Sequence, residues 1–238
     1  MVIEIWSDIA CPWCYIGKTR FEAALQQYEH KDAVQVVWRS YELQPNGPKT
    51  NPKTTVENLM EKYGRSHAEV MEMMANVTEV AAGEGLEYHL DKALAANTFD
   101  AHRLIHLASE RGLGHAAMTR FMQAYQSEGE NLADEATLVR LAIEAGLEEQ
   151  DVRRVLGSDE YAAAVRADEQ RARSVGVNGV PFFVIDEAHG ISGAQPTEFF
   201  LEALRQLGPK TQPVTLLQPV GVSADGSCTD DGCEVPSA

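Results

Sequence analysis

A short apolar run, Val2-Ile3-Glu4-Ile5-Trp6, starts the chain and predicts a β-strand. Beyond Gly17, the residues Phe21, Ala24, Leu25 and Tyr28 recur at helical spacing, and Val34-Gln35-Val36-Val37-Trp38 predicts a second strand. A loop follows over 41–48, where Pro45, Asn46, Gly47 and Pro48 break any regular pattern. From about Pro52 to Val175 the periodicity is helical almost throughout. Met60, Tyr63, Val70, Met73, Met74 and Val77 carry it first, and Gly83 and Gly85 end that stretch. Asn97 or Thr98 then reads as the N-cap of a helix running through Leu107. Further helices are predicted near 115–127, 134–145, 148–156 and 160–174. Strand character returns at Val180-Pro181-Phe182-Phe183-Val184-Ile185, with a turn over 186–190 and a short strand from Ile191. Pro196 opens a last amphipathic helix through Phe199, Phe200, Leu204 and Leu207.

A β-α-β unit at one end and β-β-α at the other, separated by a helical block, predicts an α/β chain with a thioredoxin-like fold and a large all-helical insertion. The expected division is 1–51 with 176–208 as the thioredoxin-like part, 52–175 as the insertion, and 209–238 as an extended tail. In that tail the composition shifts to Pro, Gly, Ser, Thr and Asp.

Composition narrows the function. The 238 residues are 44% hydrophobic and 24% charged, an ordinary globular balance. A net charge of -16 repels nucleic-acid phosphates and anionic membranes, so neither is an expected partner. No apolar run is long enough to span a bilayer. Met1 leads almost directly into the first strand without a secretory signal pattern, so the expected compartment is the cytoplasm. Disulfides there are rarely structural. The four cysteines, in two close pairs, therefore read as catalytic, redox-sensing or metal-binding.

The first pair is Cys11-Pro12-Trp13-Cys14, set between the first strand and the first helix. A cysteine at a helix start meets unpaired N–H groups and the positive end of the helix dipole, both of which favour a thiolate. Pro12 suits the first helical turn, where its missing N–H costs nothing. Cys14 is one turn on, within reach of Cys11, so the pair can close and open a disulfide with little backbone movement. The competing reading is a zinc site shared with Cys228 and Cys233. The C-x4-C spacing and acidic setting of the second pair, with the first built into a helix start, favour redox chemistry and no metal. Trp6 is expected in the core and Trp13 exposed, in contact with substrate. His102 and His106 are spaced for one helix face and read either as a metal-binding or proton-transfer pair or, more commonly for such residues, as surface or satisfied core groups, and Asp8 precedes the redox turn as a buried proton acceptor or a turn cap. Met60, Met71, Met73 and Met74 read as core of the helical block.

Three segments together, Cys11-Pro12-Trp13-Cys14-Tyr15-Ile16-Gly17, Gly176-Val177-Asn178-Gly179-Val180-Pro181 and Ser192-Gly193-Ala194-Gln195, resemble the DsbA-family thiol–disulfide oxidoreductases, and more closely their FrnE-like branch. The resemblance runs from about Met1 to Leu207. It implies a cis bond before Pro181, with Pro181 facing the Cys11 sulfur and the Val180 backbone open to pair with an extended substrate segment. It further implies disulfide exchange on disulfide-containing or thiol protein substrates, with a cellular thiol as reductant and no cofactor. Periplasmic DsbA carries a histidine between the cysteines, and Pro12-Trp13 has no such charge. A less oxidising couple is expected here. Kappa-class glutathione transferases and hydroxychromene carboxylate isomerases share the scaffold but typically have serine where Cys11 stands, and they form the alternative reading. A metal or redox buffer using all four thiols is a third. Within the tail, Cys228-Thr229-Asp230-Asp231-Gly232-Cys233 reads as an accessory redox pair, because so short a loop gives only about 2 kcal/mol as a staple. The neighbouring carboxylates disfavour thiolate there, making Cys228 and Cys233 poor first attackers.

Overall fold

The computed structural model describes residues 1–208, with the side chains of 50–52 left aside. The elements run β1 (Val2–Ser7), α1 (Pro12–Gln27), β2 (Gln35–Ser40), β3 (Thr50–Thr54), α2 (Thr55–Tyr63), α3 (His67–Gly83), β4 (Leu94–Ala96), α4 (Phe99–Glu110) and α5 (Gly114–Gln123). After a π-helical turn at Ala124–Glu128 come α6 (Glu135–Glu144), α7 (Glu149–Leu156), α8 (Ala162–Ser174), β5 (Phe182–Ile185), β6 (His189–Ser192) and α9 (Thr197–Leu207).

The main sheet has the order β2-β1-β5-β6. β1 runs parallel to β2, with Ile5 opposite Trp38, and antiparallel to β5, with Ile5 opposite Phe183. β5 and β6 form the antiparallel hairpin that the turn at 186–190 predicts. This is the thioredoxin-like arrangement implied by the sequence. As the central strand β1 is covered on both faces, and its alternation sorts its side chains between two layers. Ile3 and Ile5 join the main core, where Phe21 of α1, Phe183 of β5 and Phe200 of α9 meet with ring centroids 4.7–5.7 Å apart. Trp6 joins the smaller core with Ala172 of α8 and Val184, and its Nε1–H donates to the Asp168 carbonyl at 3.0 Å. Glu4 also faces α8. A carboxylate so deeply buried needs partners, and Arg39 and Arg171 supply them at 2.5–2.9 Å.

The insertion departs from expectation in one respect. It is not wholly helical, because β3 and β4 pair as a two-stranded antiparallel sheet with an irregular register. β4 is only Leu-Ala-Ala, too short for a period-two signal and built from helix-favouring residues. The helices otherwise start as their sequences direct. Thr54 with Glu57 and Ser66 with Glu69 form capping boxes at α2 and α3. At α4 the cap position is Thr98. Its side chain does not cap the helix, and the Phe99 amide donates instead to Asn97 Oδ1 at 3.0 Å. The methionines are not uniformly core. Met74 is buried, Met60 half-buried, and Met71 and Met73 are exposed. Among the described residues no helix is long and apolar enough to cross a membrane.

Candidate active site

The loop between β1 and α1 closes on itself before the helix begins. Cys11 N–H donates to the Asp8 carbonyl at 3.1 Å, and Cys14 N–H to the Cys11 carbonyl at 3.0 Å. Cys11 is the N-cap of α1 with extended backbone, Pro12 takes the first helical position, and no acidic residue lies in the first turn. The sulfur thus sits at a helix N-terminus with no nearby carboxylate on that turn to cancel its field, a setting that favours negative charge.

The two thiols are free and differ in access. Cys14 is 1% exposed and Cys11 6%. Burial pushes the Cys14 thiol well above its ordinary value. The adjacent Cys11 adds to this, and the Ser7 side chain and Asp8 amide offset it only in part. Cys14 therefore holds its proton, and Cys11 is the less buried of the two sulfurs.

Opposite Cys11 lies the turn before β5. Cys11 Sγ–H points to the Val180 carbonyl at 3.6 Å, and the Val180–Pro181 bond is cis. Gly193 N–H donates to the Pro181 carbonyl at 2.9 Å, fixing the turn to the end of β6. Gly17 explains why α1 can lie so close. A Cβ there would stand 2.9 Å from Pro181 Cγ and 3.3 Å from Ala194. The three sequence segments that carry the family resemblance therefore meet at one place. Trp13 is 43% exposed beside Cys11.

Several supporting residues carried no sequence signal. Tyr88 O–H donates to the Pro12 carbonyl at 2.7 Å, and its ring stacks on Tyr15 at 6.2 Å. Burial, helped by the nearby cysteines, pushes the Tyr88 hydroxyl far up. Gln126, in the π-helical turn, donates through Nε2 to the Ile9 carbonyl at 2.8 Å, so the insertion braces the loop that carries Cys11.

Asp8 is buried and caps the turn that precedes Cys11. Its carboxylate accepts from the Ala10 amide at 3.3 Å and the Leu43 amide at 2.7 Å, and His102 Nε2 lies 3.5 Å away. Burial alone would raise this carboxyl. His102, the Leu43 amide and Thr98 outweigh that and hold it below its ordinary value. Beyond His102, burial lifts Glu42 to about 7 in spite of its contact with Arg166. His106 does not join this group. It faces Ser40 and Asp168 at 3.2 and 3.1 Å, so the two histidines do not converge on a metal. Among the described residues no group of three His, Cys, Asp or Glu is arranged to hold one. Cys228 and Cys233 lie outside the described residues.

A cavity of about 360 Å³ opens beside Cys11. Trp13, Met74, Leu90, Tyr125 and Gln126 are among its walls, so α3 and the segment before β4 bring apolar surface to the cysteine.

Residues 2–205 match the family described as DSBA-like thioredoxin domain. The crystal structure of the probable DsbA oxidoreductase SCO1869 from Streptomyces coelicolor is 44% identical, with each chain covered in full and a TM-score of 0.83. Two further solved structures share the fold at lower identity. A 2-hydroxychromene-2-carboxylate isomerase is 15% identical over 85% of this chain and 93% of its own, with a TM-score of 0.64. The cytosolic disulfide reductase DsbM from Pseudomonas aeruginosa, solved with GSH, is 18% identical over 87% of this chain and 99% of its own, with a TM-score of 0.61.

Proposed function

We propose, for a chain that belongs to the DSBA-like thioredoxin domain family, that Cys11 and Cys14 are the exchanging dithiol of a thiol–disulfide oxidoreductase. The observation that carries this reading is the asymmetry of the pair. Cys11 sits at the helix start against Val180, and Cys14 lies behind it with its thiol pushed up. In reduction, the Cys11 thiolate attacks one sulfur of a substrate disulfide. A Cys11–substrate bond forms, and the other substrate sulfur leaves as a thiolate and takes up a proton. Cys14 then gives up its proton and attacks the Cys11 sulfur. The mixed disulfide breaks, the substrate leaves as a dithiol, and Cys11–Cys14 is oxidised by two electrons. A cellular thiol returns those electrons, and the reverse sequence oxidises a substrate.

Disulfide-containing or thiol proteins are the substrates we propose. The Val180 backbone and the exposed Trp13 receive the extended segment beside the scissile bond, with cis-Pro181 shaping the turn. The cytoplasm is the proposed compartment, the one named for DsbM, whose fold the chain shares. Cys228 and Cys233 are proposed as the accessory pair on their sequence setting alone.

Insulin reduction by wild type, Cys11→Ser and Cys14→Ser tests the assignment. Both variants should lose turnover, and only Cys14→Ser should accumulate mixed disulfides with substrate. Trapping through Cys14 in the Cys11→Ser variant would reverse the roles. The likeness to a carboxylate isomerase keeps a glutathione-dependent transferase or isomerase as the second reading. Glutathione conjugation in the absence of insulin reduction would favour it, although a cysteine at position 11 speaks for exchange.

A further inference from the structure

Behind the Cys11 turn lies a buried cluster of titratable groups that the exchange steps do not use. Four parts of the chain contribute to it. The turn itself gives Asp8, the segment after β2 gives Glu42, α4 gives His102 and Thr98, and α8 gives Arg166 and Glu169. Tyr125, from the π-helical turn, faces Asp8. Asp8, Glu42, His102 and Glu169 are all buried, and only Arg166 reaches the surface. The neighbouring Asp168 and His106 pair with each other, and Asp168 takes Arg39 and the Ser40 amide besides, so neither belongs to the cluster.

Two consecutive amides tie segment 41–44 to this cluster. Glu42 N–H donates to Glu169 Oε1 at 3.4 Å, and Leu43 N–H to Asp8 Oδ2 at 2.7 Å. Asp8 in turn accepts from the Ala10 amide at 3.3 Å, and its carbonyl accepts from the Cys11 amide at 3.1 Å. One residue thus holds both the nucleophile's turn and Leu43. Leu43 and Gln44 are walls of the cavity beside Cys11.

The cluster is short of positive charge. Its three carboxyl groups share one guanidinium, since Arg166 contacts both Glu42 and Glu169. His102 is fully buried with Nε2 3.5 Å from Asp8 Oδ1, and neither ring nitrogen is hydrogen-bonded among the described residues. Glu42 Oε1 is equally without a partner there. Buried ions left unpaired are costly, so a cluster of this composition retains a proton. Burial works against ionisation at both Asp8 and Glu42. At Asp8 the His102 ring and the Leu43 amide outweigh it, whereas at Glu42 it prevails and lifts the carboxyl to about 7.

We propose that Glu42 and His102 are positioning residues for the Cys11 turn: the proton on Glu42 latches segment 41–44 against Asp8, and its loss to bulk water loosens that segment and slows exchange at Cys11. This rests on the reading of Cys11 as nucleophile and adds residues beyond the dithiol to the control of that site. With the proton gone, Glu42 and Asp8 are like charges on either side of the Leu43 hydrogen bond. Their repulsion acts on the same residue that holds the Cys11 amide. His102 faces both carboxyls and favours the ionised form of Glu42, so it sets where the latch opens.

The test is single-turnover reduction of insulin by the pre-reduced full chain between about pH 6 and 8.5, in wild type, Glu42→Gln and His102→Gln. Ionisation of Cys11 raises the rate in every variant and cancels in the ratio of wild type to Glu42→Gln. That ratio should fall by about threefold or more across the range, with its midpoint near 7. Taken with His102→Gln in place of wild type, the ratio should fall at higher pH, because the group that favours ionised Glu42 is gone. A purely structural role for either residue would give ratios that do not change with pH. The Leu43 amide supplies a readout free of turnover. In NMR spectra of the isotope-labelled chain its resonance should titrate with the same midpoint in wild type and stay fixed in Glu42→Gln. The wild-type titration alone decides the matter if a variant fails to fold. A ratio constant with pH, or a Leu43 amide that does not titrate near 7, would overturn the latch and leave the dithiol reading standing. Titration of Leu43 in a chain that reduces no insulin would overturn the dithiol reading instead.

Discussion

Gly17→Ala sets two opposed effects against each other at the point where α1 meets the turn of cis-Pro181. Within a helix, alanine is better than glycine by about 1 kcal/mol, so propensity alone predicts a more stable protein. The surroundings of Gly17 predict the reverse. The added methyl would sit 2.9 Å from Pro181 Cγ and 3.3 Å from the Cα and Cβ of Ala194. Neither neighbour is the free end of a flexible side chain. Pro181 is a ring in a turn tied to Gly193, and the Ala194 carbonyl accepts from Arg20 at 2.8 Å. Overpacking of this kind costs about 1–3 kcal/mol. The net expectation is destabilisation of about 1 kcal/mol, or about 2–4 °C in melting temperature for a unit of this size. Because the displaced group is the Val180–Pro181 turn, insulin reduction should fall as well. Gly83→Ala is the control. It lies at the end of α3 with nothing within 4 Å of the new methyl, so the same chemical change should be neutral or stabilising and leave turnover intact. Denaturant titration and thermal melting of the reduced proteins, with turnover measured in parallel, decide the matter. A Gly17→Ala protein at least as stable and as active as wild type would refute the claim that close approach, rather than backbone freedom, sets glycine at this position.

Three other outcomes are expected. Glu42 is raised to about 7 in the folded chain by burial, so its protonated form is the one the fold favours. The stability it contributes is fully present below the unfolded value near 4.5 and lost as pH rises through about 7. Glu42→Gln should therefore gain stability relative to wild type between pH 5.5 and 8, by on the order of 1–3 kcal/mol, and parallel denaturation curves at both pH values would expose its absence. Tyr88→Phe removes the 2.7 Å hydrogen bond to the Pro12 carbonyl and should cost about 1 kcal/mol while lowering turnover, since the first turn of α1 loses its brace. Unchanged turnover and unchanged stability would show the contact to be incidental. Replacing Cys228 and Cys233 together by serine should alter turnover, reduction potential or reoxidation rate; if all three match wild type, the accessory redox role is wrong.

Much of the site was legible in the chain before its fold was known, and the reason is locality. Cys11, Pro12, Trp13 and Cys14 lie between a strand and a helix, and a strand–turn–helix is decided by neighbours in sequence. The helical periodicity of α3 to α9 is local in the same sense. The β3–β4 pair was not legible. Two strands of five and three residues, some forty positions apart, are paired by tertiary contact rather than by propensity. Nor did the spacing of His102 and His106 disclose that one turns to Asp8 and the other to Asp168. Core packing of the methionines was too simple a reading, for Met73 is exposed and lines the cavity with Met74.

The sequence by itself determined that a dithiol would stand at a helix start and that strands would return late in the chain, because both follow from hydrophobic period and turn chemistry over short spans. Only the tertiary structure decided what surrounds that dithiol. Val180 reaches Cys11 from 169 positions away, Tyr88 braces Pro12 from 76 away, and Gln126 holds the Ile9 carbonyl from 117 away. Such contacts depend on which faces of distant elements are buried together. A side chain such as Tyr88 or Gln126 looks the same in the sequence whether it meets water or the active-site loop, and the packing of the insertion against that loop settles which.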